Sequence, residues 1–289
     1  MKQILVIGSE GQLGREIKSK YKKVNNTSFS FTSIENLDVT DSQKLTTTIK
    51  EKKYDYIINC TAYTAVDKAE TEPQLAQKIN ADALKSIGLA ANEINAKVIH
   101  VSTDYVFNGT KHQPYSESDE TSPSSVYGQT KLDGERYLLE YNPNSIIIRT
   151  SWLYSVHGNN FVKTMIRLGK ERDELGVIYD QIGTPTYAGD LADAILDIID
   201  HDIKKTIQFK PGTYHYSNEG VASWYDFTLA IHREMDLICK VNPIETKDYP
   251  TPAPRPHYSV LNKSKIKKAY QLEIPYWLDS LRKCIAELK

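Results

Sequence analysis

Tyr127 and Lys131 stand four residues apart in Val126-Tyr-Gly-Gln-Thr-Lys131. On a helix that spacing puts a phenol and an ammonium on one face. Upstream, the apolar run of Val98, Ile99 and Val101 ends in a hydroxyl pair, Ser102 and Thr103. A free phenol titrates near ~10 and is a poor proton shuttle at neutral pH. An ammonium beside it favours the phenolate. A shift of roughly two to three units corresponds to about 3–4 kcal/mol of differential stabilisation. A hydroxyl at a strand end can hydrogen-bond the same substrate oxygen. The set therefore reads as a proton-delivery device, although Tyr-x-x-x-Lys alone fits a solvated surface pair equally well.

Such a device needs a scaffold and a reaction partner. The apolar run 2–7 predicts a first strand, followed by Gly8-Ser-Glu-Gly11-Gln-Leu-Gly14 and a helix to about Lys23. Glycines between a strand and a helix permit close approach of a pyrophosphate, and the helix N-terminus supplies free N–H groups. Further strands are expected at 27–32, 54–60, 97–102, 146–150, 175–180 and around Tyr214. Helices are expected from Asp41, from Pro73 to about Ile94 (Leu75, Ile79, Leu84, Ile87 and Ala91 inward), over 127–141, 159–172 and 188–200. Residues 108–124 read as a loop, and five prolines in 242–258 exclude a helix there. Alternating strands and helices imply an α/β fold, a Rossmann-like doubly wound parallel sheet with a smaller C-terminal substrate lobe. The expected division is a dinucleotide-binding domain over 1–152, with a return of about 175–200, and a mainly substrate-binding lobe over 153–289.

A carboxylate at the end of the second strand would grip a ribose 2′-hydroxyl, and an arginine a 2′-phosphate. Thr32, Ser33 and Ile34 stand there instead, so NADH and NADPH both remain open, with a slight lean to tolerance of NADPH. Asp38 and Val39 are placed to meet the adenine, and Cys60 to Thr64 to wall the cofactor.

The 289 residues carry a formal net charge of −1, so no basic field points to nucleic acid. No apolar run reaches the roughly 18 residues that cross a bilayer. Three scattered cysteines without a C-x-x-C pair speak against a disulfide framework or zinc ribbon, and seven histidines form no ligand motif. Neither membrane nor metal is expected, and a reducing cytoplasm is the default location. His100, inside a strand, reads as a satisfied core group. Asp67, Lys68 and Glu70 fit a turn near the ligand or a solvated cluster.

Beyond these single motifs, the chain resembles the extended short-chain dehydrogenase/reductase family. The matching stretches are G-x-x-G-Q-L-G (8–14), A-V-D-K-A-E (65–70), V-S-T-D-Y-V-F-N-G (101–109), V-Y-G-Q-T-K (126–131), R-T-S-W-L-Y (149–154), G-N-N-F (158–161), D-Q-I-G-T-P-T (180–186) and Y-P-T-P-A-P-R-P (249–256). They span nearly the whole chain. The resemblance is narrowest to the branch that reduces a dTDP-linked 4-keto-6-deoxy sugar with NADPH or NADH. It implies cofactor contacts at Gly8, Gly11, Gln12, Leu13, Gly14, Asp38, Val39, Ala62, Tyr63, Thr64, Tyr127 and Lys131. It implies catalysis by Tyr127 as acid, Lys131 tuning it and binding the nicotinamide ribose, and Thr103 adjusting the proton network. Thr103, Asp104, Trp152 and Arg255 are implied at the substrate. Two positions depart from the branch: Tyr63 stands where histidine is frequent. Gly189 stands where a second carboxylate, with Glu16, would hold a dimer-bridging magnesium. A monomer or plain homodimer is the expectation. The rivals are a related sugar-nucleotide reductase, epimerase or dehydratase, and a non-catalytic subunit like the regulatory subunit of methionine adenosyltransferase.

Overall fold

The structure, a computed structural model, describes residues 1–289. Its centre is a six-stranded, all-parallel sheet. Five strands are β1 (Lys2–Ile7), β2 (Thr27–Thr32), β3 (Tyr56–Asn59), β4 (Lys97–Thr103) and β5 (Ser145–Thr150), and the sixth is Gly212–His215. The spatial order is β2-β1-β3-β4-β5 and then Gly212–His215. Strands inside the sheet are apolar on both sides because helices cover both faces. Along β1, Ile4 and Val6 face one layer while Leu5 and Ile7 face the other. The first layer holds α1 (Gln12–Lys20) and the helix Ala188–Lys204, through Ile17, Ile195 and Ile199. The second holds α2 (Ser42–Glu51) and the helices Ala83–Glu93 and Val126–Tyr141, through Leu45, Ile87 and Leu138. Asp41 caps α2, its carboxylate accepting the Lys44 N–H.

The segment around 175–181, expected to return to the main sheet, does not. Glu174–Ile178 pairs with Lys240–Ile244 in a separate two-stranded sheet. What returns is the helix Ala188–Lys204, and the place beside β5 goes to Gly212–His215. A short strand pattern does not name its partner, so either Glu174–Ile178 or Gly212–His215 could take the place beside β5. The second lobe closes its own core around Tyr154, Val162, Phe227, Trp277 and Leu281. No helix is long and apolar enough to cross a membrane.

The helix expected from Pro73 to Ile94 is interrupted. A π turn over Lys78–Asp82 joins Pro73–Gln77 to Ala83–Glu93. The extra residue in that turn rotates the face that follows, which is why Leu75, expected inward, is exposed while Leu84, Ile87 and Ala91 are buried. The turn also aims Asn80 at the site: its side chain accepts the Tyr63 N–H at 2.8 Å and donates to Thr130 Oγ1 at 3.1 Å. Asn80 O lies where a Cβ on Gly134 would sit, 2.0 Å away. Gly134→Ala would gain about 1 kcal/mol of helix propensity, but a backbone carbonyl must move to admit it, at a cost of about 1–3 kcal/mol or more. Net destabilisation is therefore expected, read as a lower midpoint in urea unfolding.

Candidate active site

The carboxyl ends of the parallel strands converge on a cleft between the lobes, beginning where the strand order reverses between β1 and β3. Gly8, at φ +80°, lies so close to the chain after β3 that a Cβ there would stand 2.7 Å from Thr61 Cγ2. A Cβ on Gly14 would stand 2.3 Å from Gly8 O, so only glycine lets α1 start this close to β1. Gly11 is the N-cap of α1 and no side chain caps the helix, which leaves its first amides for a ligand anion.

Two adjoining cavities open from this turn. One, about 260 Å³, is lined by Gly8, Gly11, Ile34, Asp38, Val39 and Ala62. The Asp38 carboxylate is engaged within its own turn, Oδ1 taking both the Thr40 N–H and the Thr40 hydroxyl. The other, about 550 Å³, contains Gln12, Leu13, Thr64, Thr103, Asp104, Tyr127, Lys131 and Trp152 among its walls. The glycine cradle, the uncapped helix and an adjoining slot fit an elongated dinucleotide.

Tyr127 and Lys131 lie one turn apart on the helix Val126–Tyr141, which Ser125 caps by accepting the Gly128 N–H. Both side chains are buried at the cleft. Lys131 Nζ donates to Val101 O at 2.8 Å and lies 3.1 Å from His100 Nε2. Burial pushes the Lys131 ammonium down to about 8, with Glu135 acting in the opposite direction. Tyr127 is raised to about 12, first by burial, with the Thr103 hydroxyl pulling down and the Asp104 charge pushing up. The lowering by Lys131 that the spacing suggests is not realised here, because the amine turns to the strand instead of the phenol.

Thr103 Oγ1 donates to Asp104 Oδ1 at 2.9 Å and accepts the Tyr105 N–H at 3.2 Å. Asp104 Oδ2 is buried without a partner at the cleft wall, as is Ser102 Oγ. Burial raises Asp104 to about 6, against hydrogen bonds from Thr103 and Ser259 that lower it. In an unfolded chain the same group titrates near ~3.9. A carboxyl with a raised folded value favours the fold while protonated, so its contribution is full below about pH 4 and lost as pH rises through about 6. Thermal melts of the ligand-free protein should therefore show Asp104→Asn gaining on the wild type between roughly pH 4 and 7. A constant difference across that range would contradict the assignment.

Trp152 sits at φ +49° and stacks on Trp224, ring centroids 3.5 Å apart and planes 9° apart. Both line the cleft. Trp224 drew no attention in the sequence. It lies more than 70 residues downstream, and only the second lobe's folding brings it there. Gly14, behind the cradle, is not in the walls, and neither are two other implied residues. The Tyr63 phenol bonds Glu72, and its backbone N–H and carbonyl are held by the Asn80 side chain. Arg255 spans the lobes to Asp67, Nη2 to Oδ2 2.8 Å, and also donates to Ala253 O. Asp67, a partly exposed carboxylate, is here the partner of an interlobe ion pair. Glu70 accepts the Val126 N–H and steadies the start of the helix Val126–Tyr141.

The family model described as RmlD substrate binding domain matches residues 1–289. The dTDP-4-dehydrorhamnose reductase of Escherichia coli K12 is 42% identical over 99% of this chain and 97% of its own length. The chain belongs to the dTDP-4-dehydrorhamnose reductase family. The crystal structure of the reductase from Clostridium acetobutylicum superposes with a TM-score of 0.93 at 43% identity, covering 99% of both chains. The reductase from Bacillus anthracis, solved in complex with NADP, gives a TM-score of 0.93 at 36% identity over 99% of this chain and 100% of that one. Tyr127, Lys131 and Thr103, from the stretches 126–131 and 101–109, all line the larger cavity.

Proposed function

We propose that this chain reduces the C4 keto group of dTDP-4-dehydro-6-deoxy-L-mannose (dTDP-4-dehydrorhamnose) to give dTDP-L-rhamnose, with NADPH or NADH as reductant and Tyr127 as proton donor. The reading rests on one observation: the phenol of Tyr127, the hydroxyl of Thr103 and the indole of Trp152 share the wall of a cleft that begins at the glycine cradle. A bound nicotinamide supplies hydride to the sugar carbon. Gly8, Gly11, Gln12, Leu13 and Gly14 hold its pyrophosphate, and Lys131 and Tyr127 border its ribose. Asp38, Val39, Ala62 and Thr64 line the adenosine side, Tyr63 through its backbone.

The chain's own part is proton delivery and orientation. A phenol raised to about 12 is fully protonated at neutral pH, as a donor to a ketone oxygen must be. Thr103 and Asp104 face the same space, one hydroxyl and one unpaired carboxyl oxygen, and suit a hydroxyl-rich sugar. The Trp152–Trp224 stack gives the sugar an apolar wall. Arg255, held between Asp67 and Ala253 O, has further N–H donors for the nucleotide diphosphate.

The test is oxidation of NADPH or NADH followed at 340 nm with the 4-keto sugar nucleotide, and identification of the sugar formed. Consumption of cofactor with formation of dTDP-L-rhamnose is expected. No oxidation of either cofactor would overturn this reading, and tightly retained NAD with interconversion of 4-hydroxy sugars would replace it with that of an epimerase.

A further inference from the structure

Behind Lys131 lies a histidine that the proposed reaction does not use. His100 is fully buried on β4, beside its register partner Asn59 on β3. Its Nδ1 is 3.0 Å from Asn59 Nδ2, and its Nε2 is 3.1 Å from Lys131 Nζ. Burial, and then the charge on Lys131, hold the imidazole neutral. It therefore carries one N–H, and the position of that proton decides what Lys131 meets.

Asn59 decides the position. Its Oδ1 accepts the Thr61 N–H at 3.1 Å and the Thr61 hydroxyl at 2.6 Å. The amide is thereby oriented with its NH₂ toward the ring, and Nδ1 must accept. The proton then sits on Nε2 and points at Lys131 Nζ. A neutral amine accepts that proton's hydrogen bond; an ammonium opposes it with an N–H of its own. The reverse tautomer would suit an ammonium but would set Nδ1–H against the Asn59 NH₂, and reversing Asn59 would break the Thr61 bond.

We propose that His100 is a positioning residue that sets the proton affinity of Lys131 through a tautomer fixed by Asn59, keeping the lysine amine within reach of neutrality instead of permanently charged. The inference rests on the reductase reading for its catalytic meaning, but not for its geometry. Other ionisable groups around Lys131 are accounted for. On its own helix, Tyr127 is a neutral phenol and Glu135 is bound by Arg149 of β5. The Cys60 thiol after β3 is pushed up to about 12 by burial. Asp104, following β4, is the remaining acid, and its side chain is met by the hydroxyls of Thr103 and Ser259.

Two measurements test it. The first uses wild-type protein with ¹⁵N-labelled histidine. The ring nitrogens of His100 should show Nε2–H and an unprotonated Nδ1 from pH 6 to 9; protonation at Nδ1 would overturn the proposal whatever the enzyme's substrate proves to be. The second is the alkaline limb of kcat/KM for the nicotinamide cofactor, which reports the free enzyme. Asn59→Asp offers Nδ1 an acceptor, turns Nε2 into an acceptor for the ammonium, and should move the limb up by about one pH unit. His100→Gln, with its amide oxygen toward Asn59 and its NH₂ toward Lys131, should keep the limb in place. The double variant His100→Leu/Asn59→Asp should lose the shift. An unmoved limb in Asn59→Asp, or the same shift in the double variant (charge acting without the ring), sinks the idea.

Discussion

Replacing Tyr127 by phenylalanine is expected to lower kcat by roughly two to four orders of magnitude, the usual reach of a positioned acid, with cofactor affinity nearly unchanged. The ring is almost wholly buried and meets Tyr105 edge-on, centroids 5.4 Å apart at 77°. Phenylalanine keeps that packing and removes one oxygen from the cleft. The helix is held elsewhere: Ser125 and Glu70 hold its start, and Lys131 is held by Val101 and His100. The loss should thus fall on kcat and not on the melting temperature. Full activity in Tyr127→Phe, measured by cofactor oxidation, would take Tyr127 out of the proton step. A loss confined to KM would make it a binding group only.

The largest expected loss of stability comes from the buried pair behind the site. Arg149 on β5 and Glu135 on the helix Val126–Tyr141 are joined by Nε to Oε1 at 3.0 Å and Nη2 to Oε2 at 2.7 Å, both residues nearly inaccessible. The guanidinium also lies over the Phe107 ring, 5.2 Å from its centroid. Glu135→Leu strands a buried guanidinium whose Nη1 already lacks a partner. A cost of about 3–5 kcal/mol is typical of breaking such a pair. The double variant Glu135→Leu/Arg149→Met removes the stranded charge and should recover much of the loss, because paired buried charges and apolar replacements are often nearly equal in stability. Denaturant midpoints of the single and double variants give the comparison. If the single variant costs under about 1 kcal/mol, the pair behaves like a surface bridge and the burial argument fails.

Much of the site was legible because it is local. Tyr127 and Lys131 share a helix face by their spacing alone. Gly8, Gly11 and Gly14 mark a strand-to-helix turn whose geometry involves a handful of neighbouring residues. Asp41 caps α2 by the same short-range logic. The parallel sheet followed from alternating patterns along the chain. Harder to read were features that depend on which distant segment wins a shared position. Glu174–Ile178 and Gly212–His215 both looked like strands, and only packing of the second lobe sent one to Lys240–Ile244 and the other to β5. The π turn at Lys78–Asp82 has no periodicity of its own, so Leu75 was assigned the wrong face.

By itself, the sequence determined the kind of fold, the glycine cradle and the Tyr127–Lys131 helix face, because each depends on neighbours within a few residues or on repeated patterns of burial. Tertiary structure alone decided what those groups meet. Lys131 meets His100 and Val101 instead of the phenol, since β4 lies directly beneath the helix. Arg255 meets Asp67 across the lobes, and Trp152 meets Trp224. Those encounters join residues from 30 to 188 positions apart, the nearest being Lys131 with Val101 and the farthest Arg255 with Asp67. No spacing rule carries that information; strand register and lobe packing do.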